Sequence, residues 1–359
     1  MKIKNVLVFL HATSSVILFD FLLQKPYNPR MKPIIQLEQR LIDKIAAGEV
    51  VERPLSVVKE LTENAIDAGA SMITVEITDG GLTMVRVTDN GAGIPSEELP
   101  LAFARHATSK ITRAEDLFSV YTLGFRGEAL SSIAAVAQVE MITKTHGAIM
   151  GVKAEIHGGR FIQRQDVGCA NGTTVVVSNL FYNVPARRKF LKKAATEAGY
   201  ISDCLQKLAL GNPKLCIRYI SNGQSVFQTN GNGDLRTAVL NVYGRDAASK
   251  MIEVDAESFS ESCDNRERRE KRENGASDTF LGTMHLRGLL GKPEIARGNR
   301  NHGTFFINGR YIQSKLPLYA RVQYYEGGCH QVFMKAVELR DAVCGDIYEF
   351  LLSDEIINE

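Results

Sequence analysis

Apolar residues recur at helical spacing directly after Pro54, in the stretch PLSVVKELTENAIDAGA. Proline suits the first position of a helix and Gly69 suits its end, so the pattern predicts one helix between them. Its apolar face is formed by Val57, Val58, Leu61, Ala65 and Ala68. A face of this kind predicts packing against a hydrophobic core.

Alternating apolar and polar positions follow in MITVEIT and again in MVRVTDNG. The turn signal Asp79-Gly80-Gly81 separates the two runs and predicts an antiparallel hairpin. A helix followed by such a hairpin favours an α+β layer over a parallel βαβ sheet. Farther along, EALSSIAAVA predicts a buried helix, GTTVVVSNL a strand over 172–180, and PARRKFLKK a helix that begins near Pro185.

The length of 359 residues suits two domains of ordinary size, and DLRTAVLNVYG near Asp234 predicts the start of the second. Residues 1–30 contain an apolar run that polar residues interrupt, which argues against a membrane span. Two lysines before the run faintly resemble a secretory signal, but no Ala-x-Ala follows. We therefore expect an extension upstream of a natural start at Met31. From about Leu316 onward the sequence has no recognisable motif.

The charge balance narrows the function. The 43 Lys and Arg residues nearly match the 41 Asp and Glu residues, so the net charge is +2 and any contact with nucleic acid must be local. Hydrophobic and charged fractions of 44% and 23% argue against disorder, collagen and a polytopic membrane protein. Six cysteines without a Cys-x-x-Cys pair favour a reducing cytosol over a zinc site or a disulfide framework.

Three polar residues form a stripe on the predicted helix beside its apolar face. Glu60, Asn64 and Asp67 are separated by four and three positions. One interpretation is an exposed polar face. The other is the lining of a pocket, in which Asn64 offers a neutral oxygen to Mg²⁺ and a carboxylate one turn away orients or deprotonates an attacking water.

The motif DNGAG follows the second strand of the hairpin, from Asp89 to Gly93. A simple turn is one interpretation, because Asn, Asp and Gly dominate turns. In the functional interpretation, Asp89 accepts a hydrogen bond from an adenine amino group, and Gly91 and Gly93 let the backbone pass close to the ligand. Thr173 and Thr174 open a later strand, where a hydroxyl either supports Asp89 or its bridging water or is simply part of a β-branched strand residue.

Two further segments, ARHATSK and LGFRGEAL, bracket a stretch without regular pattern. Such a stretch is typical of a functional lid or of disorder. Gly124 and Gly127 flank Phe125-Arg126 just before a predicted helix, whose N-terminal amides suit an anion, although an ordinary glycine-rich connection is the alternative. The chain has no P-loop. Hydroxyl and ammonium donors for phosphates are available from Thr108, Ser109 and Lys110.

Together these motifs resemble the MutL family of DNA mismatch repair proteins, within the GHKL ATPases that also include gyrase B, Hsp90 and histidine kinases. The match follows the family's order through IAAGEVVERPLSVVKELTENAIDAGA, VTDNGAGI, ARHATSKI, LGFRGEALSSIA, GTTVVVSNLFYNVPARRKFL and FFINGRYIQSK, over about residues 35–315. The resemblance implies an α+β protein: a GHKL (Bergerat) ATPase α/β sandwich over 31–230, then an incomplete α+β transducer domain over 231–316. A charged insertion lies at about 258–278, and an atypical tail covers 317–359.

By motif position, the resemblance implies that Glu60 is the general base, Asn64 the Mg²⁺ ligand and Asp89 the residue that reads the adenine of ATP. It assigns the nucleotide site to Asp67, Gly91, Gly93 and either Thr173 or Thr174. It assigns the phosphate lid to Thr108, Ser109, Lys110, Gly124, Phe125, Arg126 and Gly127.

The resemblance also implies a function and partners. ATP binding and slow hydrolysis would gate homodimerisation of the N-terminal domains and relay mismatch recognition by MutS to a downstream helicase or nuclease, in the cytoplasm and with no membrane contact. A candidate patch for non-specific DNA contact consists of Arg187, Arg188, Lys189, Lys192 and Lys193. A solvated helix face is the other interpretation of these charges.

One departure limits these expectations. The transducer of this family normally ends in a His-Pro-x-Lys motif whose lysine reaches the γ-phosphate, and no histidine here precedes a proline. We therefore expect a truncated or frame-shifted product with weak ATPase activity and no nuclease domain. A nucleotide-binding interaction module, or a remnant without turnover, is the alternative. Another GHKL branch is disfavoured, because a histidine kinase needs an upstream phospho-accepting histidine and residues 1–50 offer only His11.

Overall fold

The computed structural model describes residues 36, 38, 47, 48, 50–110, 123, 124, 127–259, 283–295, 303–307, 310–312, 318–324 and 330–336. The unit Ile42–Glu359 contains nearly all of them. Of the unit Met1–Leu41, which includes the predicted extension, only Gln36 and Glu38 are described. No helix in the described part of the chain is both long and apolar enough to span a bilayer.

Helix α1 spans Pro54–Asp67, with the predicted proline at its start. The predicted core face is confirmed at Val57, Val58, Leu61 and Ala65, which are buried. Ala68 is the half-buried C-cap residue, and its amide donates back to the carbonyl of Asn64. The helix therefore turns one side to the core and leaves Asn64 and its polar neighbours along the edge of that side.

The predicted hairpin is also present. Strand β1 (Met72–Thr78) and strand β2 (Met84–Asp89) pair antiparallel around a 3₁₀ turn at Asp79–Gly81. Val75 lies opposite Val87, and both are buried. The inward-facing residues of the hairpin thus form part of the sheet surface against which the helices pack.

The main sheet has eight strands in the order β5-β4-β3-β6-β2-β1-β7-β8. Its other strands are β3 (Gln138–Lys144), β4 (Gly151–His157), β5 (Arg160–Val167), β6 (Gly172–Ser178), β7 (Cys216–Ser221) and β8 (Gln224–Gln228). Strands β1 and β7 are parallel, and all other neighbours are antiparallel. A mostly antiparallel sheet covered by helices is the predicted α+β layer.

After α1, the described residues of this part of the chain form the helices α2 (Leu99–Ala102), α3 (Ala129–Val136), α4 (Pro185–Arg188) and α5 (Ala194–Gly211). Helix α1 packs against α3, α5 and the hairpin. The helix predicted from PARRKFLKK ends at Arg188, after a single turn. Continuing it would stack like charges four residues apart, which destabilises a helix.

Helix α6 (Leu235–Ser249) begins directly after Asp234, near which the sequence predicts the start of a second domain. Its N-cap, Asp234, accepts hydrogen bonds from the amides of Arg236 and Thr237, which satisfies the first orphan donors of the helix. Antiparallel pairs then form between β9 (Met251–Phe259) and β10 (Thr283–Gly291), β11 (Phe305–Ile307) and β12 (Arg310–Ile312), and β13 (Leu318–Tyr324) and β14 (His330–Ala336). The charged insertion lies mostly outside the described residues.

Helix α5 connects the two parts of this unit. It packs against α1 on the sheet and also contacts β12. Near its C-terminal end, the Lys207 ammonium lies 4.5 Å from the centre of the Tyr311 ring and 2.7 Å from the Asp203 carboxylate. A cation over an aromatic ring is an attractive contact, so the helix is attached to the second region by more than apolar packing.

Candidate functional site

The Asp89 carboxylate lies at the end of β2 and is fixed by the backbone around it. Its Oδ1 accepts hydrogen bonds from the amide of Gly91 at 2.8 Å and from the amide of Thr173 at 3.2 Å. Burial raises the pKa of the Asp89 carboxyl, and these two amide bonds partly oppose the rise. Among the described residues, no hydrogen-bond donor to Oδ2 is found. One carboxylate oxygen is therefore held in place while the other is available.

Thr143, which the sequence did not single out, binds the Gly172–Thr173 peptide, whose amide donates to Asp89. The Thr143 hydroxyl, on β3, is buried and lies 3.0 Å from the Thr173 hydroxyl. It also accepts from the amide of Ile94 at 2.8 Å and donates to the carbonyl of Gly172 at 3.2 Å. Thr173 is thus the threonine beside Asp89, whereas the Thr174 hydroxyl donates to Thr88 at 3.1 Å. Thr143 could have been noticed in the sequence as a polar residue on the same face of the strand as the buried Val139 and Met141.

The glycines of the DNGAG motif bring segments of the chain's own backbone together. A Cβ atom on Gly91 would lie 2.9 Å from the carbonyl oxygen of Ala68, and one on Gly93 would lie 2.3 Å from that of Lys144. Gly93 also has a φ of 73°, in the region that side chains disfavour. Both positions therefore require glycine to keep the loop after β2 close to the end of α1 and to β3.

The three residues of the polar stripe lie on α1 as predicted, and all are half-buried. Lys110 reaches two of them. Its ammonium donates to Asn64 Oδ1 at 2.9 Å and to Asp67 Oδ2 at 2.5 Å. The side chain of Asp67 is only 6% exposed and that of Lys110 only 19%, so this ion pair is largely shielded from water. Asn64 and Asp67 therefore belong to a shielded polar cluster with Lys110 and not to a solvated face.

Asp67 also binds the chain on the far side of residues 111–122. Its Oδ1 accepts from the amide of Leu123 at 2.8 Å, and its Oδ2 accepts from the amide of Gly124 at 3.0 Å. One carboxylate therefore joins Lys110 to the LGFRGEAL segment. Asp67 was predicted to contact nucleotide, which stays a prediction, and in the structure it accepts from these three protein donors.

The other predicted lid residues lie near this cluster or outside the described residues. The Thr108 hydroxyl accepts from the amide of Lys110 at 3.2 Å, and Ser109 is exposed. Gly127 has a φ of 63°, and a Cβ there would lie 2.5 Å from the carbonyl oxygen of Ala107. Phe125 and Arg126 lie outside the described residues.

A second contact joins the two lid segments. His106 Nδ1 lies 3.1 Å from Glu128 Oε1, just before helix α3. Together with the approach of Gly127 to Ala107, this pair holds ARHATSK against the start of α3. The segments that bracket residues 111–122 thus meet each other as well as α1.

The donor atoms around Asn64 fit a hard cation. Its Oδ1 already faces the Lys110 ammonium, so the position is one where positive charge is stabilised. Glu60 and Asp67 lie on the same stripe, one turn or less away. No group of three metal-ligating acids, histidines or cysteines occurs within the described ranges. A neutral amide oxygen such as Asn64 Oδ1 suits Mg²⁺, which takes few protein ligands and shares the rest with phosphates and water.

The five basic residues after β6 do not share one environment. Arg187 is half-buried, and its guanidinium donates to the carbonyl of Gly48 at 2.5 Å and to that of Val51 at 2.9 Å. The remaining four are exposed: Arg188, Lys189, Lys192 and Lys193. Arg187 therefore fixes the segment to the chain just before α1, and the others remain available for a partner.

Comparison with family models identifies two regions of the chain. Residues 49–180 match the model described as histidine kinase-, DNA gyrase B- and HSP90-like ATPase. Residues 239–333 match the model described as DNA mismatch repair protein, C-terminal domain. The first match covers the eight-stranded sheet up to the end of β6, and the second begins within α6.

Known proteins similar to this chain include MutL proteins of several bacteria. The DNA mismatch repair protein MutL of Agathobacter rectalis is 49% identical over 286 residues, which is 80% of this chain and 41% of that protein. MutL of Shouchella clausii is 48% identical over 284 residues, 79% of this chain and 40% of that protein. The chain thus spans about two fifths of the length of these relatives.

Solved structures lead to the same family. The Aquifex aeolicus MutL ATPase domain complexed with ADP superimposes with a TM-score of 0.53 at 28% identity, over 74% of this chain and 85% of that one. The N-terminal domain of a DNA repair protein gives a TM-score of 0.63 at 27% identity, over 77% and 80%. From its sequence, its fold and these relatives, the chain belongs to the MutL family of DNA mismatch repair proteins and has the GHKL ATPase fold followed by a transducer domain.

Proposed function

We propose that this chain binds ATP with Mg²⁺ between α1 and the end of β2 and hydrolyses it slowly. The nucleotide state then governs dimerisation of the N-terminal domains, through which a MutL protein coordinates mismatch recognition by MutS with a downstream helicase or nuclease. Membership of the family and the likeness to a MutL ATPase domain complexed with ADP support this proposal.

The observation that carries the proposal is the arrangement around Asp89. An adenine amino group is a hydrogen-bond donor, and a carboxylate is the acceptor that binds it most strongly. Oδ1 is held by the amides of Gly91 and Thr173, so Oδ2 is presented in one direction without side-chain motion. An acceptor fixed in this way selects a base that carries an amino group at the matching position.

At the phosphate end, the chain supplies a cation that is already oriented. Lys110 is held by Asn64 and Asp67, and an ammonium has three donors, so one N–H remains for a phosphate oxygen. Asn64 is the residue that would hold Mg²⁺. Mg²⁺ held there would neutralise charge on the phosphate oxygens. Mg²⁺ on Asn64 Oδ1 would compete with the Lys110 ammonium, and Asp67 Oδ2 would then be the acceptor that keeps the ammonium in place.

Glu60 is proposed to orient and deprotonate the attacking water. It lies one turn before Asn64 on the same stripe, so its carboxylate is near the phosphate end and away from Asp89. Positioning and charge stabilisation supply most of the acceleration of phosphoryl transfer. Since the sequence has no His-Pro-x-Lys lysine, we expect turnover to be slow.

DNA contact is proposed for the exposed cations after β6. Arg188, Lys189, Lys192 and Lys193 lie on one short segment, while the chain as a whole has a net charge of only +2. Phosphate contacts of this kind are independent of sequence and weaken steeply with salt. The proposed contact is therefore local and non-specific.

The test compares the native chain with Glu60→Ala and Glu60→Gln in two assays. Calorimetric titration with ATP and Mg²⁺ should give similar affinities for all three proteins, because Glu60 is proposed to act on water. Steady-state phosphate release should fall by about 100-fold or more in both variants. Equal release rates would contradict catalysis by this chain, and absence of ATP binding by the native chain would contradict the nucleotide site itself.

The same pair of assays separates the alternative. A nucleotide-binding module without turnover would bind ATP and release no phosphate above the level of the Glu60→Ala variant. The match to the ATPase family over residues 49–180 does not favour this alternative.

A further inference from the structure

Phe190 is the most exposed large aromatic side chain in the described part of the chain. It is 82% exposed and lies within the segment KFLKK, directly after the one-turn helix α4. Single apolar residues on a surface are common and by themselves carry no meaning. The surroundings of Phe190 distinguish it.

The backbone on both sides of Phe190 is anchored. Before it, Arg187 is bound to the carbonyls of Gly48 and Val51, and the amide of Phe190 donates to the carbonyl of Arg187 at 3.0 Å. After it, Leu191 packs against the core. The exposure of the ring therefore belongs to a segment with a defined path.

A buried acid fixes the end of the segment. The amide of Lys192 donates to Glu197 Oε1 at 3.0 Å, and Glu197 is fully buried in the first turn of α5. The segment is thus tied to α5 as well as to the chain before α1. A ring presented by such a support loses little freedom when a partner binds it.

Basic residues precede and follow Phe190 in the sequence. Arg188 and Lys189 precede Phe190, and Lys192 and Lys193 follow it, all four exposed. None of the four forms an ion pair with a carboxylate within the residues that the structure describes. As far as the described residues extend, no carboxylate balances their charge, which is therefore available to a polyanion.

We propose that Phe190 is a base-stacking residue, and that it gives this surface a preference for DNA with unpaired bases. The inference rests on the proposed DNA contact and adds to it a single residue that distinguishes strands. Cations bind phosphates of any sequence, whereas an aromatic ring stacks on the face of any base that is not already stacked. Single-stranded DNA offers such faces freely, and a duplex offers them only after unstacking.

The experiment measures fluorescence anisotropy of a labelled thymidine oligonucleotide and of a labelled duplex, with the full chain at low salt. Phe190→Ala should weaken binding of the single strand by roughly five-fold or more, the effect of removing one stacking partner. Duplex binding should change much less. Phe190→Tyr should restore single-strand binding, because tyrosine keeps the ring. Ile149→Ala is the matched control, since Ile149 is 93% exposed and lies outside the basic segment.

Salt dependence separates stacking from charge. Lys189→Ala should weaken both DNA forms alike and reduce the slope of log affinity against log salt by about one. Phe190→Ala should leave that slope unchanged. Equal losses for single strand and duplex in Phe190→Ala, or no loss at all, would overturn the stacking role while the basic contact stands. If the native chain binds neither DNA form, the proposed DNA contact fails and the stacking role with it.

Discussion

The base end and the phosphate end of the proposed nucleotide site are built differently. At the base end, Asp89 terminates a strand, and its partner amide on Thr173 belongs to the neighbouring strand, which pairs with β2 in regular register. At the phosphate end, Asp67 terminates a helix and collects donors from Lys110, Leu123 and Gly124, outside any strand or helix. Sheet pairing thus forms one end, and side-chain contacts between loops form the other.

Because of this difference, substitutions at the base end should change nucleotide affinity, and substitutions at the phosphate end should also change the stability of the fold. Loss of Asp89 leaves the pairing of β2 with β6 intact, so its effect should be on ligand binding. Loss of Asp67 removes the acceptor that joins both lid segments to α1, so its effect should extend to the fold.

The largest expected effect is on nucleotide affinity in Asp89→Ala. The carboxylate that accepts from the adenine amino group is lost, and a hydrogen bond to a charged group contributes about 2–3 kcal/mol. Calorimetric titration with ATP should therefore show binding that is weaker by a factor of about 30 to 150. The unfolding midpoint should shift less than in Asp67→Ala. Native-like ATP affinity in Asp89→Ala would remove this residue from the base end.

Asp67→Ala should destabilise the fold by about 2–3 kcal/mol, because a shielded ammonium and two amides lose their acceptor together. Urea unfolding followed by circular dichroism measures this change. Glu76→Ala is the control: Glu76 pairs with Arg86 at 3.0 Å in a more exposed position, so its loss should cost less than about 1 kcal/mol. Similar losses in both variants would show that the Asp67 contacts add nothing beyond a surface pair.

The pH dependence of ATP binding should show the titration of Asp89, because burial raises the pKa of its carboxyl. As pH falls through this raised pKa, protonation removes the acceptor, so ATP affinity should fall by up to about tenfold per pH unit. The fall should begin at a higher pH than for an ordinary aspartate. The ratio of native to Asp89→Ala affinity at each pH cancels titration of ATP itself. A constant ratio would contradict the role of the ionised carboxylate.

Stability should respond to the same titration in the opposite sense. A carboxyl whose pKa is higher in the folded state binds its proton more tightly there, so protonation favours folding. The contribution of Asp89 to stability is therefore fully present below the unfolded-state pKa of 3.8 and is lost as pH rises through the raised value. Comparing the unfolding free energy of the native chain with that of Asp89→Ala across this range isolates the contribution.

The smallest expected effect is that of Thr173→Val. The variant keeps the amide that binds Asp89 and loses the hydroxyl that lies 3.0 Å from the Thr143 hydroxyl. ATP affinity should fall by no more than about five-fold, because the bond lost is within the protein and contributes at most about 1 kcal/mol to the support of Asp89. Thr174→Val should have less effect, because adjacent strand residues face opposite sides of the sheet. Equal losses in the two variants would contradict the assignment of Thr173 to the base end.

The regular elements could be predicted because local patterns determine them. Pro54 and the apolar face of α1 located the first helix, and the turn at Asp79–Gly81 located the hairpin. The position of Asp89 at the end of β2 followed from the same alternation of apolar and polar residues. In each case the relevant residues are neighbours in the chain.

The contacts of the phosphate end could not be predicted in this way. Asp67 meets Lys110 and Gly124 across 43 and 57 positions, so no spacing rule connects them. The hydrogen bonds of Arg187 could not be predicted for the same reason, since its acceptors at Gly48 and Val51 lie 139 and 136 positions earlier. Sequence alone grouped Arg187 with the four exposed cations because all five have the same charge.

The roles of Glu60 and Asn64, the DNA contact and the domain boundaries remain predictions of the sequence. The phosphate-binding role of Lys110 remains a prediction as well, although its ammonium donates to Asn64 Oδ1.

Helix α5 has a mechanical consequence. Its 18 residues extend for about 27 Å, since an α-helix rises 1.5 Å per residue. Near one end, Glu197 ties the basic segment to it, and near the other, Lys207 lies against Tyr311 on β12. A stiff rod attached at both places transmits displacement instead of absorbing it. A tilt of α5 relative to the sheet should therefore move the basic segment and strand β12 together.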